Sequence, residues 1–167
     1  MRPTDAELYC LAERAGQLLQ ATGRVLVTAE SCTGGWVGQV ITAVPGSSAW
    51  YVGGFITYSN TAKQMQLGVS AESLTAYGAV SEIVVKEMAT GAIECSAANV
   101  ALAVSGIAGP GGGTADKPVG MVCLAWLMDD GTGMQTTSYF LGDREAVRAQ
   151  AVAAVLQGLI ELLKAHE

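Results

Sequence analysis

The chain has 167 residues, half of them hydrophobic, which is enough to fill one core and too few to require two; residues 1–167 therefore read as a single domain. Only 14% of the residues are charged and the net charge is −6, so the surface as a whole repels a phosphate backbone and no nucleic-acid partner is expected, whereas one phosphate on a small molecule is still within reach of a few arginines and backbone amides. The single histidine, His166, is the second-last residue, a position that frays, and this excludes Ser-His-Asp triads, Cys-His dyads and most metallohydrolase schemes.

The N-terminal MRPTDAELYC has no long apolar run behind a basic start, so neither a signal peptide nor a membrane span is expected, and the location expected is cytoplasmic. Thr4 and Glu7 have capping-box spacing. Leu8, Leu11, Ala12, Ala15, Leu18 and Leu19 then keep a helical period up to Gly23. Cys10, Cys32, Cys95 and Cys123 are scattered without C-x-x-C spacing, which indicates neither disulfides nor a zinc site.

Val25-Leu26-Val27 reads as a buried strand that runs into Thr28-Ala29-Glu30. A tight turn, Ser31-Cys32-Thr33-Gly34-Gly35, follows, and then an apolar helix that ends before Pro45-Gly46. A serine at a strand-to-helix turn suits a nucleophile. The amides of Cys32, Thr33, Gly34 and Gly35 can stabilise an oxyanion there, and the paired glycines admit close approach by a substrate. The same pattern also fits a Ser31 or Thr33 that does no more than cap the helix.

Trp50 to Tyr58 is rich in β-formers and predicts a second strand, with Asn60 capping a short helix that carries Lys63. Tyr58-Ser59-Asn60-x-x-Lys63 gathers a phenol, an amide and an amine. A lysine replaces histidine as a base if burial brings its pKa from about 10.4 towards roughly 7–8; the alternative is a solvated helix residue. Ser81 caps a helix through about Ala97, and Val100 to Val104 is a continuous apolar strand.

Ser105-Gly106-Ile107-Ala108-Gly109-Pro110-Gly111-Gly112-Gly113-Thr114 comes next, with more glycine than a turn needs. Its bare amides can form an anion-binding concavity, or the stretch is a flexible surface loop. Val119 to Leu127 and Met134 to Phe140, joined by Asp129-Asp130-Gly131, predict a hairpin, and Asp143 caps a last helix ending near Lys164. Arg144 and Arg148 lie one turn apart at that helix's N-terminus, where cations oppose the macrodipole; they point to an anionic ligand or to ion pairs with Glu145 and Asp143. These elements predict an α/β fold, a three-layer α/β/α sandwich with a mixed, mostly parallel sheet of about five strands. Trp36, Trp50 and Trp126 in apolar company leave room for a subunit interface.

Taken together, Ala29 to Gly35, Tyr58-Ser59-Asn60-x-x-Lys63, Gly78-Ala79-Val80-Ser81-Glu82, the Ser105-to-Thr114 loop with Lys117-Pro118-Val119-Gly120, and Phe140-x-Gly142-Asp143-Arg144-x-x-x-Arg148 resemble the CinA C-terminal family. The resemblance spans almost the whole chain and implies a nicotinamide-nucleotide amidase that converts nicotinamide mononucleotide to nicotinate mononucleotide and ammonia, without metal or cofactor. It implies Ser31 as nucleophile, Lys63 as base and Tyr58 as orienter or proton relay, in a homo-oligomer. The substrate contacts it implies are Cys32, Thr33, Gly34, Gly35, Asn60, Ser105, Gly106, Gly109, Gly111, Gly112, Thr114, Arg144 and Arg148. Many members of the family carry a larger N-terminal domain, and the stand-alone amidase form is expected here. The alternatives are a noncatalytic nucleotide-binding module of the same fold and an oligomeric accessory protein of DNA uptake or repair, against which the acidic balance and the lack of a basic stripe argue.

Overall fold

The capping box forms as its spacing predicts: Glu7 N donates to Thr4 Oγ1 at 3.2 Å and Thr4 N donates to the Glu7 carboxylate at 2.7 Å. Helix α1 runs Asp5–Thr22 and is closed by Gly23 at φ 64, in the left-handed region. In the computed structural model, which describes residues Met1–Glu167, there follow β1 (Leu26–Glu30), α2 (Trp36–Thr42), a 3₁₀ turn (Ser47–Ala49) and β2 (Tyr51–Ile56). Three helices come next, α3 (Asn60–Leu67), α4 (Ala71–Tyr77) and α5 (Glu82–Glu94), then β3 (Val100–Gly106), β4 (Met121–Met128), β5 (Gly133–Tyr139) and α6 (Arg144–Ala165).

Two local assignments differ from the sequence expectation. Ser59, not Asn60, caps α3: its backbone is extended and its Oγ accepts from Ala62 N at 3.0 Å, which leaves Asn60 as the first helical residue. Helix α4, capped by Ser70, fills a stretch to which the sequence reading assigned no element; it buries none of its residues, so it carries no apolar period to read.

The sheet order is β2-β1-β3-β4-β5. β1 pairs in parallel with β2 and β3, while β4 runs antiparallel to both β3 and β5. A single strand thus opposes the other four, the mixed and mostly parallel sheet expected. Alternate residues feed two cores. Val100, Leu102, Val104, Val122, Leu124 and Trp126 face α1, α2 and α6, and Ala101, Ala103, Cys123 and Ala125 face α5. The small residues let α5 lie close on its face, and the bulky ones fill the wider space on the other.

Trp50 and Trp126 are each 2% exposed. The Trp126 indole donates to Val155 O at 2.8 Å, and Trp50 packs on Gly16. Both rings belong to the core and supply nothing to a subunit interface, because each faces a helical glycine that admits it. Helix α6 is long and apolar enough to cross a membrane by composition, but 61% of its apolar window is buried within the domain.

Helices α3 and α5 touch at Gly91, where a Cβ would overlap the Leu67 carbonyl. Gly91→Ala is expected to cost about 1–3 kcal/mol through overpacking, read as a lower urea midpoint with unchanged m. An unaltered midpoint would mean that the two helices separate freely.

Candidate active site

β1 is buried along its whole length and stops at Glu30, the one carboxylate in the core. Beyond it the chain turns sharply: Ser31 N donates to Val104 O on β3 at 2.9 Å, and Gly34 N donates to Ser31 O at 3.0 Å. The N-cap of α2, Gly35, has no side chain to cap with, and Glu30 performs that task from the strand. Its Oε1 accepts from Thr33 Oγ1 at 2.7 Å and Val37 N at 2.9 Å, and its Oε2 accepts from Gly38 N at 3.0 Å. Sequence reasoning missed Glu30; the available signal was a carboxylate ending an otherwise apolar strand.

The chain leaves β1 for β2 on one side by way of α2, then returns from β2 through α3, α4 and α5 to β3 on the other side of β1, so the crevice beyond the C-terminal ends of β1 and β3 is the switch point of the sheet. Ser31 projects there, 7% exposed. Lys63, one turn into α3, reaches it from the end of β2. Its Nζ lies 2.9 Å from Ser31 Oγ, 2.8 Å from Thr57 O and 3.2 Å from Tyr58 O.

Lys63 is only 1% exposed, and no carboxylate pairs with it; the one ion pair of the protein joins Arg2 and Glu145. Burial holds the Lys63 ammonium below the usual lysine range, an effect opposed only by the neighbouring Cys32. The ammonium donates to the two carbonyls and to Ser31 Oγ; were it to lose the third proton, both carbonyl bonds would remain and its lone pair would face the Ser31 hydroxyl. The adjoining Cys32 thiol is pushed up to about 11, chiefly by burial, and does not compete as a nucleophile at neutral pH.

Ser31, Cys32, Tyr58, Asn60, Lys63, Ser105, Gly106 and Arg144 line one cleft of about 170 Å³. Ala79, Val80 and Ala108 complete it. Ser105 Oγ donates to Ala79 O at 2.8 Å and Lys117 Nζ donates to Val80 O at 2.8 Å and to Tyr77 O, so the Gly78–Val80 wall is pinned to β3 and to the glycine loop. Lys117 is a second residue whose task the sequence did not reveal.

Other expected contacts lie elsewhere. Thr33, Gly34, Gly35 and Arg148 border a separate groove between α1, α2 and α6. Gly109, Gly111, Gly112 and Thr114 line neither cavity, because the loop folds on itself: Thr114 N donates to Lys117 O at 2.8 Å, and Lys117 N donates to Thr114 Oγ1 at 3.0 Å. The Tyr58 phenol makes no hydrogen bond to Ser31 or Lys63; it accepts from Arg144 Nη2 at 3.0 Å, and Arg144 Nη1 donates to Gly109 O at 2.7 Å. Arg148 is likewise taken up, its Nε donating to Cys32 O and its Nη2 to Thr33 O, both at 3.0 Å.

Residues 9–163 match the model of the CinA C-terminal domain. A protein of Escherichia coli named nicotinamide-nucleotide amidohydrolase PncC is 54% identical over 156 residues, covering 93% of this chain and 94% of that protein. A protein of the same name from Pseudomonas putida is 51% identical over 155 residues, 91% of this chain and 94% of its own length. Among solved structures, the competence/damage inducible protein CihA of Agrobacterium tumefaciens superposes with a TM-score of 0.91 at 44% identity, over 97% of this chain and 98% of its own.

Proposed function

The chain belongs to the CinA C-terminal domain family, and from that membership we propose that it is an amidohydrolase converting nicotinamide mononucleotide and water to nicotinate mononucleotide and ammonia, in pyridine-nucleotide salvage. The observation that carries this reading is the buried Lys63 amine 2.9 Å from Ser31 Oγ at the sheet's switch point.

Ser31 Oγ attacks the carboxamide carbon while Lys63 takes the hydroxyl proton. The oxyanion that forms faces the amides of Cys32 and Thr33, neither of which donates to any acceptor within the protein, whereas the Gly34 amide is engaged by Ser31 O. On collapse the C–N bond breaks and Lys63 returns the proton to the leaving nitrogen, which departs as ammonia. Water then attacks the acyl ester while Lys63 accepts one of its protons; as the ester C–O bond breaks and nicotinate mononucleotide leaves, Lys63 hands that proton to Ser31 Oγ.

Arg144 stands in the cleft wall with two N–H groups engaged, leaving three of the guanidinium's five donors for an anion. It is assigned to the substrate phosphate. Arg144→Ala is expected to raise KM for the mononucleotide about 10- to 100-fold, from a charge-assisted bond of about 1.5–3 kcal/mol, with little change towards nicotinamide itself. An equal loss on both substrates would count against phosphate binding.

The test of the whole assignment is ammonia release from nicotinamide mononucleotide by chelator-treated protein, with Ser31→Ala alongside. Release by the wild type alone supports a metal-independent serine amidase. Silence from both proteins returns the chain to a binding module without turnover.

A further inference from the structure

We propose that Arg148 is a positioning residue that orients the Thr33 amide as the second donor of the oxyanion hole, an inference that rests on the amidase reading above.

A trans peptide unit is planar, and its N–H points opposite to its C=O, so whatever holds the carbonyl aims the amide. The Cys32 amide shares its peptide with the Ser31 carbonyl, and Gly34 N, inside the turn itself, holds that carbonyl at 3.0 Å. The Thr33 amide shares its peptide with the Cys32 carbonyl. The only group donating to that oxygen is Arg148 Nε at 3.0 Å, brought from α6. The same guanidinium donates to Thr33 O at 3.0 Å, fixing the next peptide too, while its carbon lies 5.3 Å from the centroid of the Trp36 ring. The planar fork is thus held on one face by an aromatic ring and presents two parallel donors to two successive carbonyls, a geometry that lysine cannot copy.

Arg148 and Thr33 both border the groove that lies apart from the cleft of Ser31 and Lys63; because Arg148 holds the Cys32 carbonyl on the groove side, the Thr33 N–H of the same peptide points to the opposite side. The guanidinium therefore acts on the reaction through the peptide it holds. A cation on the carbonyl side also polarises the peptide and makes its N–H the stronger donor towards a developing negative charge.

The test compares wild type, Arg148→Met, which retains packing on Trp36, and Arg148→Lys. It measures kcat and KM for ammonia release from nicotinamide mononucleotide, and the inhibition constant of pyridine-3-boronic acid, whose serine adduct is tetrahedral and places an oxygen in the oxyanion position. Both variants are expected to lose roughly 10- to 100-fold in kcat, with KM within about twofold, and to bind the boronate weaker by the same factor. A raised KM with kcat intact would make Arg148 a substrate ligand and overturn the inference. So would a lower kcat with undiminished boronate affinity, the mark of a smaller folded fraction. A wild type that binds the boronate yet releases no ammonia would remove the substrate assignment, and the boronate comparison would then decide Arg148 alone; a wild type that binds neither would remove both.

Discussion

Ser31→Ala is expected to lower ammonia release by roughly 10⁴-fold or more, the scale of losing a nucleophile that acts as one unit with its base. The substitution removes only Oγ, which the structure places at 2.9 Å from Lys63 Nζ. The backbone bonds of Ser31 to Val104 and Gly34 are kept, and Lys63 retains its two carbonyl acceptors. The variant should therefore show an unchanged circular dichroism spectrum and still bind the mononucleotide, measurable by calorimetry. Activity within about tenfold of wild type would mean that Lys63 activates water directly and that no acyl-enzyme forms.

Lys63→Met should cost nearly as much, since no other base reaches Ser31 Oγ, and the wild-type pH profile should carry the signature of the same group. A base must be neutral to accept a proton. Because burial lowers the Lys63 pKa, kcat/KM is expected to climb with pH and level off below the ordinary lysine value of about 10.4. A profile still rising steeply past that value would assign the limb to another group.

The same shift governs stability. The folded-state pKa lies below the unfolded one, so between the two the unfolded chain binds the extra proton, and stability rises with pH across that window. Below the lowered pKa the burial penalty is fully present; above the ordinary one it is gone. Urea midpoints taken across that window should rise for wild type and stay flatter for Lys63→Met. Parallel slopes would show that the amine is solvated.

How much of this was written in the chain depended on the range of the interaction. The Thr4–Glu7 box, the turn from Ser31 to Gly35 and the Asp143 cap are contacts between residues a few positions apart, and their spacing alone announces them. The continuous apolar run of β3 likewise announces a buried strand. Even within that range neighbours compete, as Ser59 and Asn60 do for the α3 cap: composition permits both, and backbone conformation selects the serine.

Composition and periodicity carried the strands and every helix but α4, the absence of a usable histidine, and a turn serine with a lysine in a later short helix. Which of these groups meet was settled by the packing of the elements. Ser31 and Lys63 are 32 positions apart and are brought together because β1 and β2 are parallel neighbours ending at one edge of the sheet. Arg148 lies 116 positions from Cys32, and the face of α6 on which it falls turns it to the carbonyls of the Ser31–Gly35 turn, a partner that its spacing from Arg144 did not suggest. Periodicity says that a face is buried or exposed; which partner a side chain finds there depends on the order of the strands and the angle of the helix that crosses them.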